Sequence, residues 1–207
     1  MANQKNHWEK IYAAKQPDEV SWTQKIPATS LDFIHNAKLP KSASIIDIGG
    51  GDSKLVDFLL DEGFENITVL DISEQALTRT KKRLAEKAVK VNWVVSDIND
   101  FHPTTTYDFW HDRATFHFLT TKPQIVHYLS TARQAVKKNG FVTIGTFSKD
   151  GPKKCSGLDI KQYSEKTLIE ELKNGFKKIK CLTEKHITPF KTTQDFLFCS
   201  FKKQEAN

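Results

Sequence analysis

Three carboxylates stand in order through the first half of the chain, each at the end of a short apolar run. The first run leads into Asp47-Ile48-Gly49-Gly50-Gly51-Asp52-Ser53, the second ends at Asp71 and the third at Asp97. Glycines at 49, 50 and 51 let backbone approach a ligand closely, and a helix opening after them offers free N–H groups. Asp71 falls 20 residues beyond Gly51, the place from which a carboxylate accepts the two hydroxyls of a ribose. At Asp97 a carboxylate can accept from an adenine amino group, with the Ile98 N–H facing the adjacent ring nitrogen and Ile72 and Ile98 as apolar walls. Singly, each acid is equally explained as a charge at a helix N-terminus, and the triple glycine as a tight turn. Three acids at three successive strand ends point instead to a nucleoside-bearing ligand. The glycine spacing narrows the choice: a pyrophosphate-binding G-x-G-x-x-G would need glycine where Lys54 stands, and no G-x-x-x-x-G-K-[ST] is present. Nicotinamide and flavin dinucleotides are disfavoured, and a nucleotide triphosphatase is unsupported.

Positioning three strand ends side by side requires a parallel sheet. Continuous apolar runs predict strands over Ser44 to Ile48, Asn66 to Leu70, Val91 to Ser96, Tyr107 to Trp110, Phe141 to Phe147, Phe176 to Leu182 and Gln194 to Phe201. Such runs suit strands buried on both faces. Helical periods lie between them over Ser53 to Glu62, Ser73 to Lys87, Pro123 to Lys137 and Ser164 to Lys173, with Ser73 and Ser164 as N-caps. This alternation implies right-handed crossovers. The last two strands lack room for a helix between them and are expected to form an antiparallel pair at one edge. Asn6 to Ala14 and Ser30 to Lys38 are expected to be helices that cap the top of the sheet. Ligands bind beyond the carboxyl ends of such strands at the switch point, where the three acids fall.

The segments Ile45-Ile46-Asp47-Ile48-Gly49-Gly50-Gly51, Val69-Leu70-Asp71-Ile72-Ser73 and Ser96-Asp97-Ile98 resemble the ordered motifs of class I S-adenosylmethionine-dependent methyltransferases. The resemblance covers nearly the whole chain. It implies a Rossmann-like, doubly wound, mainly parallel seven-stranded sheet with an antiparallel last strand and N-terminal capping helices. It also implies one domain, divided into a cap (1–40), a cofactor-binding core (41–147) and a lid loop with a C-terminal hairpin (148–207). By the same resemblance Gly49 and Gly51 line the methionine moiety of the cofactor, Asp47 orients its amino group through water, Asp71 holds the ribose, and Asp97 with Ile98 holds the adenine. The segment from Tyr107 to Leu119 has no Asn-Pro-Pro-Tyr type sequence and is more similar to the Asp-Lys-Gly-Thr-Phe segment of seven-strand protein-lysine methyltransferases. Asp112, Thr115 and Phe116 match it, while Arg113 and Ala114 replace Lys and Gly. His7-Trp8-Glu9-Lys10-Ile11-Tyr12, followed by Ser21-Trp22, is similar to the same group's opening segment, which caps the cofactor.

The implied chemistry is an in-line displacement at a methyl carried on a sulfonium, yielding S-adenosylhomocysteine. A lysine acceptor, with a free pKa of about 10.4, must be held neutral or lose its proton to the site. Asp112 is expected to orient that amine and His111 or His117 to take its proton, His186 being a further candidate. The alternative is that Asp112 and Arg113 form a structural ion pair. Trp110, Phe116 and Phe118 are expected to supply an aromatic pocket that would serve a protein lysine or a small carboxylate, amine or thiol. A silent module that binds the cofactor or a protein partner is the remaining alternative. The segment Gly151-Pro152-Lys153-Lys154-Cys155-Ser156-Gly157-Leu158 is read as a substrate lid or a lengthened turn.

Composition agrees with a folded enzyme domain. Leu, Ile, Val and Phe make up 54 of 207 residues, above the roughly 20% below which chains stay disordered. The net charge of +6 comes from the C-terminal third, where residues 137–207 hold 15 basic and 8 acidic side chains. Its lysines are scattered as pairs, so a solvated surface is expected rather than a nucleic-acid site. Cys155, Cys181 and Cys199 are odd in number and far apart, suggesting neither a disulfide framework nor a zinc site. No metal is expected. With no secretory leader and no apolar run near the 18 or so residues of a membrane span, a cytoplasmic location is expected. The oligomeric state is not legible.

Overall fold

The computed structural model describes residues 2–204. Five parallel strands follow the apolar runs: β1 (Ser44–Ile48), β2 (Asn66–Asp71), β3 (Val91–Val95), β4 (Tyr107–Arg113) and β5 (Val136–Phe147). A two-stranded hairpin of β6 (Lys154–Cys155) and β7 (Leu158–Asp159) stands apart, and β8 (Phe176–Ile187) and β9 (Thr193–Lys203) complete the sheet. The order is β3-β2-β1-β4-β5-β9-β8, with β9 antiparallel to both of its neighbours. The expected seven-stranded, mainly parallel sheet is therefore present. Its order reverses between β1 and β4, so a crevice opens at their carboxyl ends.

Among the described residues there are six α-helices, α1 (Ala2–Ala14) and α2 (Ala28–Asn36) ahead of β1, and α3 (Leu55–Asp61), α4 (Glu74–Leu84), α5 (Lys122–Ala135) and α6 (Glu165–Leu172) between strands. Side chains alternate across the sheet and divide the core into two layers. Ile46, Ile48, Trp110, Val142 and Ile144 pack with Tyr128 and Leu129 of α5 and Leu168 and Leu172 of α6. Ile45, Val69, Phe109 and Phe198 pack on the other face with Phe33 and Ile34 of α2, Leu55 and Leu59 of α3, and Leu77 of α4. Burying each such side chain contributes about 1.5–3 kcal/mol. The two faces of β4 thus have different neighbours, a division that decides which of its polar residues reach the crevice.

Several boundaries differ from the sequence reading. The second predicted crossover helix stops at Leu84 rather than Lys87, because Ala85 turns to φ +48° and a 3₁₀ turn follows over Ala85–Lys90. β5 begins at Val136, ahead of the apolar run, and β8 continues to Ile187 through a largely exposed stretch. Both serine caps are present, Ser73 Oγ accepting from the Ala76 amide at 3.2 Å and Ser164 Oγ from the Thr167 amide at 3.3 Å. The cysteine expectation requires correction. Cys181 and Cys199 face each other in the β8–β9 register and form a disulfide, with Cα atoms 4.1 Å apart. Strand pairing, not spacing, brings them together. Cys155 is free and buried. No helix among the described residues is long and apolar enough to cross a membrane.

The N-terminal helix is tied down by one residue. Glu9 of α1 accepts from the backbone amides of Glu74 (2.8 Å) and Gln75 (3.2 Å) and from Ser73 Oγ (3.0 Å), so a carboxylate caps the first turn of α4. Anions are favoured there by the free N–H groups and the helix dipole. Glu9→Ala is expected to cost about 1 kcal/mol and to speed proteolysis within α1. Thermal melts and limited digestion check this; an unchanged digestion rate would show that α1 is held by its packing alone.

Candidate active site

One cavity lies over the carboxyl ends of β1, β2, β3 and β4, beneath α1 and the segment containing Trp22. Asp47, Gly49, Gly50, Asp71, Ile72, Asp97, Ile98 and Trp22 all line it. The register explains the convergence, since Ile48 pairs with Leu70 and Asp112 and Asp71 pairs with Val95, placing the strand ends level. Gly49 takes φ +66°, and a Cβ on it would overlap Thr115 Oγ1. Thr115 Oγ1 in turn donates to the Ile48 carbonyl at 3.2 Å. Gly51 takes φ +46° beneath the Tyr12 hydroxyl, which a Cβ would meet at 2.8 Å. It packs under the N-terminal helix and is not among the residues lining the cavity. Left-handed backbone and close overhead contacts are what glycine permits at these two positions.

The three acids sit in different environments. Asp71 is buried, its Oδ1 accepting from the Ser73 amide at 2.8 Å. Burial pushes its carboxyl up to about 7, and the charges of Asp52, Asp47 and Glu9 push the same way against that hydrogen bond. Asp97 Oδ1 accepts from the backbone and side-chain amides of Asn99, both at 2.9 Å, whereas its Oδ2 is buried without a partner. An orphaned carboxylate oxygen beside Ile98 is the complement of an exocyclic amino group, so these residues fit an adenosine moiety. Asp47 Oδ1 pairs with His111 Nδ1 at 2.7 Å, and His111 Nε2 contacts Ser30 Oγ at 2.8 Å. His111 lines the cavity with both ring nitrogens engaged.

The structure separates the other expected residues of β4 and its loop. His111 and Arg113 point to the α2–α4 side and line the cavity, whereas Asp112 shares the opposite face with Trp110 and lies outside the lining. Asp112 is fully buried. Its Oδ1 accepts from the amides of Thr115 (3.0 Å) and Phe116 (3.1 Å), and its Oδ2 from the Tyr128 hydroxyl (2.7 Å). Burial raises its carboxyl to about 6 in spite of these donors. These bonds brace the turn after β4, and Asp112 is not among the residues lining the cavity. The expected Asp112–Arg113 ion pair is not formed, since strand alternation points the two side chains apart. His117 is also buried outside the lining, its Nδ1 accepting from the Phe147 amide at 3.4 Å, and burial lowers its pKa to about 3. His186 holds the Ser21 carbonyl at 2.7 Å and lies outside the lining as well.

The aromatic wall is likewise different from the one expected. Trp110 and Phe116 pack with Tyr128 in the α5 layer, and only Phe118 of that trio lines the cavity. Trp8, Tyr12 and Trp22 complete the wall, with Trp8 centred 5.7 Å from Trp22 and 5.3 Å from Phe118. Cys155 of the β6–β7 hairpin lines the far side, its thiol pushed up to about 12 by burial. It is a packing residue, not a nucleophile. Sequence reasoning missed Arg113 as a cavity residue. Its Nη1 donates to the Trp22 carbonyl at 3.0 Å and its guanidinium stacks 4.6 Å from the Phe196 ring centre, while Nε and Nη2 are buried without partners. Period-two alternation from the inward-facing Phe109 was the available signal. Among the described residues no cluster could hold a metal ion.

With this geometry in place, residues 45–140 match the family model described as a methyltransferase domain. EEF1A lysine methyltransferase 2 of Danio rerio is 28% identical over 151 residues, covering 69% of this chain and 58% of that protein. Malonyl-[acyl-carrier protein] O-methyltransferase 2 of Ilyobacter polytropus is 29% identical over 139 residues, covering 66% and 51%. The chain thus spans somewhat over half the length of these two relatives. Among solved structures, the N-methyltransferase NodS of Bradyrhizobium japonicum WM9 in complex with S-adenosyl-L-homocysteine superposes with a TM-score of 0.73 at 14% identity, covering 97% of this chain and 99% of that one. The chain thus carries a methyltransferase-domain match over residues 45–140 and shares its fold with solved methyltransferases.

Proposed function

We propose that this chain holds S-adenosylmethionine across the ends of β1, β2 and β3 and passes its methyl group to a nucleophile at the end of β4. The observation that carries this reading is the single cavity lined by Asp47, Asp71 and Asp97, with one Asp97 oxygen left for an amino donor. Asp97 and Ile98 receive the adenine, Asp71 the ribose hydroxyls, and Gly49, Gly50 and Asp47 the methionine end, with Trp22 closing the top. When bound, the cofactor supplies an electrophilic methyl on a sulfonium. His111 fixes the Asp47 carboxylate rather than exchanging a proton with the acceptor, because both its nitrogens are engaged. Asp112 acts on the site through the Thr115 turn above Gly49.

Two acceptor chemistries have support. A protein lysine is supported by the Asp112, Thr115 and Phe116 match and by the likeness to the Danio rerio enzyme. A small-molecule or carrier-borne acceptor is supported by the likeness to the Ilyobacter polytropus enzyme and by a cavity that Arg113 lines while Asp112 faces away. Methyl-labelled cofactor incubated with the protein and a lysate of its source cells, followed by separation by size, tests both. Label in protease-sensitive macromolecules is expected for the first acceptor, and in the small-molecule fraction for the second. S-adenosylhomocysteine binding without any labelled product would reduce the chain to a binding module.

A further inference from the structure

Arg113 stands on the acceptor side of the cavity. Along the sheet the adenosine end falls at β3 and β2, the methionine end at β1, and Arg113 at the far end of β4. Its surroundings lie further still in the same direction, since its guanidinium rests on Phe196 of β9 and feels the charge of Glu184 on β8. One of its nitrogens is satisfied by the Trp22 carbonyl. The other two, Nε and Nη2, are buried and unpaired. These two N–H groups point along one edge of the planar fork, the edge that binds a carboxylate through two parallel hydrogen bonds. Glu184 does not fill that edge: its Oε1 accepts from Gln24 Nε2 at 3.0 Å, and its Oε2 is without a hydrogen-bond partner. A buried donor left unpaired is costly, so two on one guanidinium call for an anionic partner.

We infer that the acceptor presents a carboxylate, which Arg113 holds through Nε and Nη2, and that the methyl is received by a carboxylate oxygen. This inference rests on the methyl-transfer reading above. The site's other features agree with it. A buried guanidinium repels an ammonium and attracts a carboxylate. A carboxylate is already ionised at neutral pH, so it needs no base, and His111, His117 and Asp112 are all engaged in internal hydrogen bonds. In the step, an oxygen lone pair forms the new O–CH3 bond while the S–CH3 bond breaks with its electron pair passing to sulfur. The sulfonium becomes a neutral thioether, the carboxylate a neutral methyl ester, and no proton moves.

Methyl esters release methanol in alkali, whereas N-methyl and S-methyl groups do not, which allows a test without a purified acceptor. Lysate labelled by the wild-type protein is expected to lose its label as volatile methanol at high pH. Size separation then tells whether the acid is free or attached to a macromolecule. Arg113→Gln is expected to lower ester formation at least about tenfold, with Arg113→Lys intermediate and S-adenosylhomocysteine affinity within about twofold of wild type in both. Alkali-stable label would overturn the carboxylate while leaving methyl transfer intact. No label despite S-adenosylhomocysteine binding would instead remove the methyl-transfer reading, and the carboxylate with it. If Arg113→Gln folds but weakens S-adenosylhomocysteine binding, the guanidinium serves the cofactor, through its carboxylate or through Trp22, and the inference falls.

Discussion

Asp71→Asn is expected to raise the melting temperature of the ligand-free protein and to weaken cofactor binding severely. The folded state raises this carboxyl from an ordinary value of 3.8 to about 7, chiefly through burial. Between those values the unfolded chain has released a proton that the folded chain retains, so the group subtracts stability as pH rises from about 4 to 7 and by a constant amount above it. Asparagine removes the buried charge and keeps an oxygen for the Ser73 amide. The gain is expected at pH 8 and to fade toward pH 4, where wild type and variant converge. A change of about 1 kcal/mol moves the midpoint by about 2–4 °C in a chain of this size. The same substitution turns one acceptor oxygen into a donor where two ribose hydroxyls must be received. A loss of about 100-fold in S-adenosylhomocysteine affinity is expected. Wild-type affinity should rise as pH passes upward through about 7, when the carboxylate ionises. Calorimetric titration across pH 6 to 8.5, paired with melts, checks both halves. A variant both less stable and binding normally would remove Asp71 from the site.

The second large effect concerns Asp112, whose three hydrogen bonds are internal. Asp112→Ala leaves the Thr115 and Phe116 amides and the Tyr128 hydroxyl without their acceptor. Unpaired buried donors cost about 1–3 kcal/mol each, incompletely additive, so a loss of about 3–6 kcal/mol is expected. That approaches the whole stability of many domains. Asp112→Asn keeps an oxygen for the two amides but presents its NH2 to a hydroxyl that must then reverse its own bond. It is expected to fold with reduced stability and to lower turnover and cofactor affinity together, because the turn that seats Thr115 over Gly49 loosens. A direct role in orienting the acceptor predicts something else: turnover lost with cofactor affinity unchanged. Denaturant unfolding and S-adenosylhomocysteine titration on the same preparations separate the two.

The fold was legible where burial on both faces leaves continuous apolar runs, as in Ile45-Ile46 with Ile48 and in Val69-Leu70. It was less so in β8, where lysines interrupt the run because an edge strand keeps much of its length in water. The disulfide was not legible at all, since it depends on the cross-strand register of β8 and β9. In the site, the acids of β1, β2 and β3 could be read because each lies within two residues of its strand's carboxyl end. For β4, position along the chain does not tell which face a residue takes. Asp112 shares the side of Trp110, and Arg113 that of Phe109, so counting by twos tells that Arg113 and not Asp112 lines the cavity. Glu9, some 64 residues before the helix it caps, left no local trace.

The exposed margin of the sheet bears on how the molecule behaves in crowded solution. β8 is an outer strand, and its outward row of backbone groups is a template on which a foreign strand could add. Lys177, Lys178 and Lys180 crowd the start of that row, and the register shifts between Lys178 and Lys180. Like charges brought together by a docking copy repel, and a bulge twists the strand away from flat pairing. Much of the chain's surplus positive charge therefore doubles as insurance against aggregation. Because salt screens that repulsion, the protection is strongest in dilute buffer and weakens as ionic strength rises.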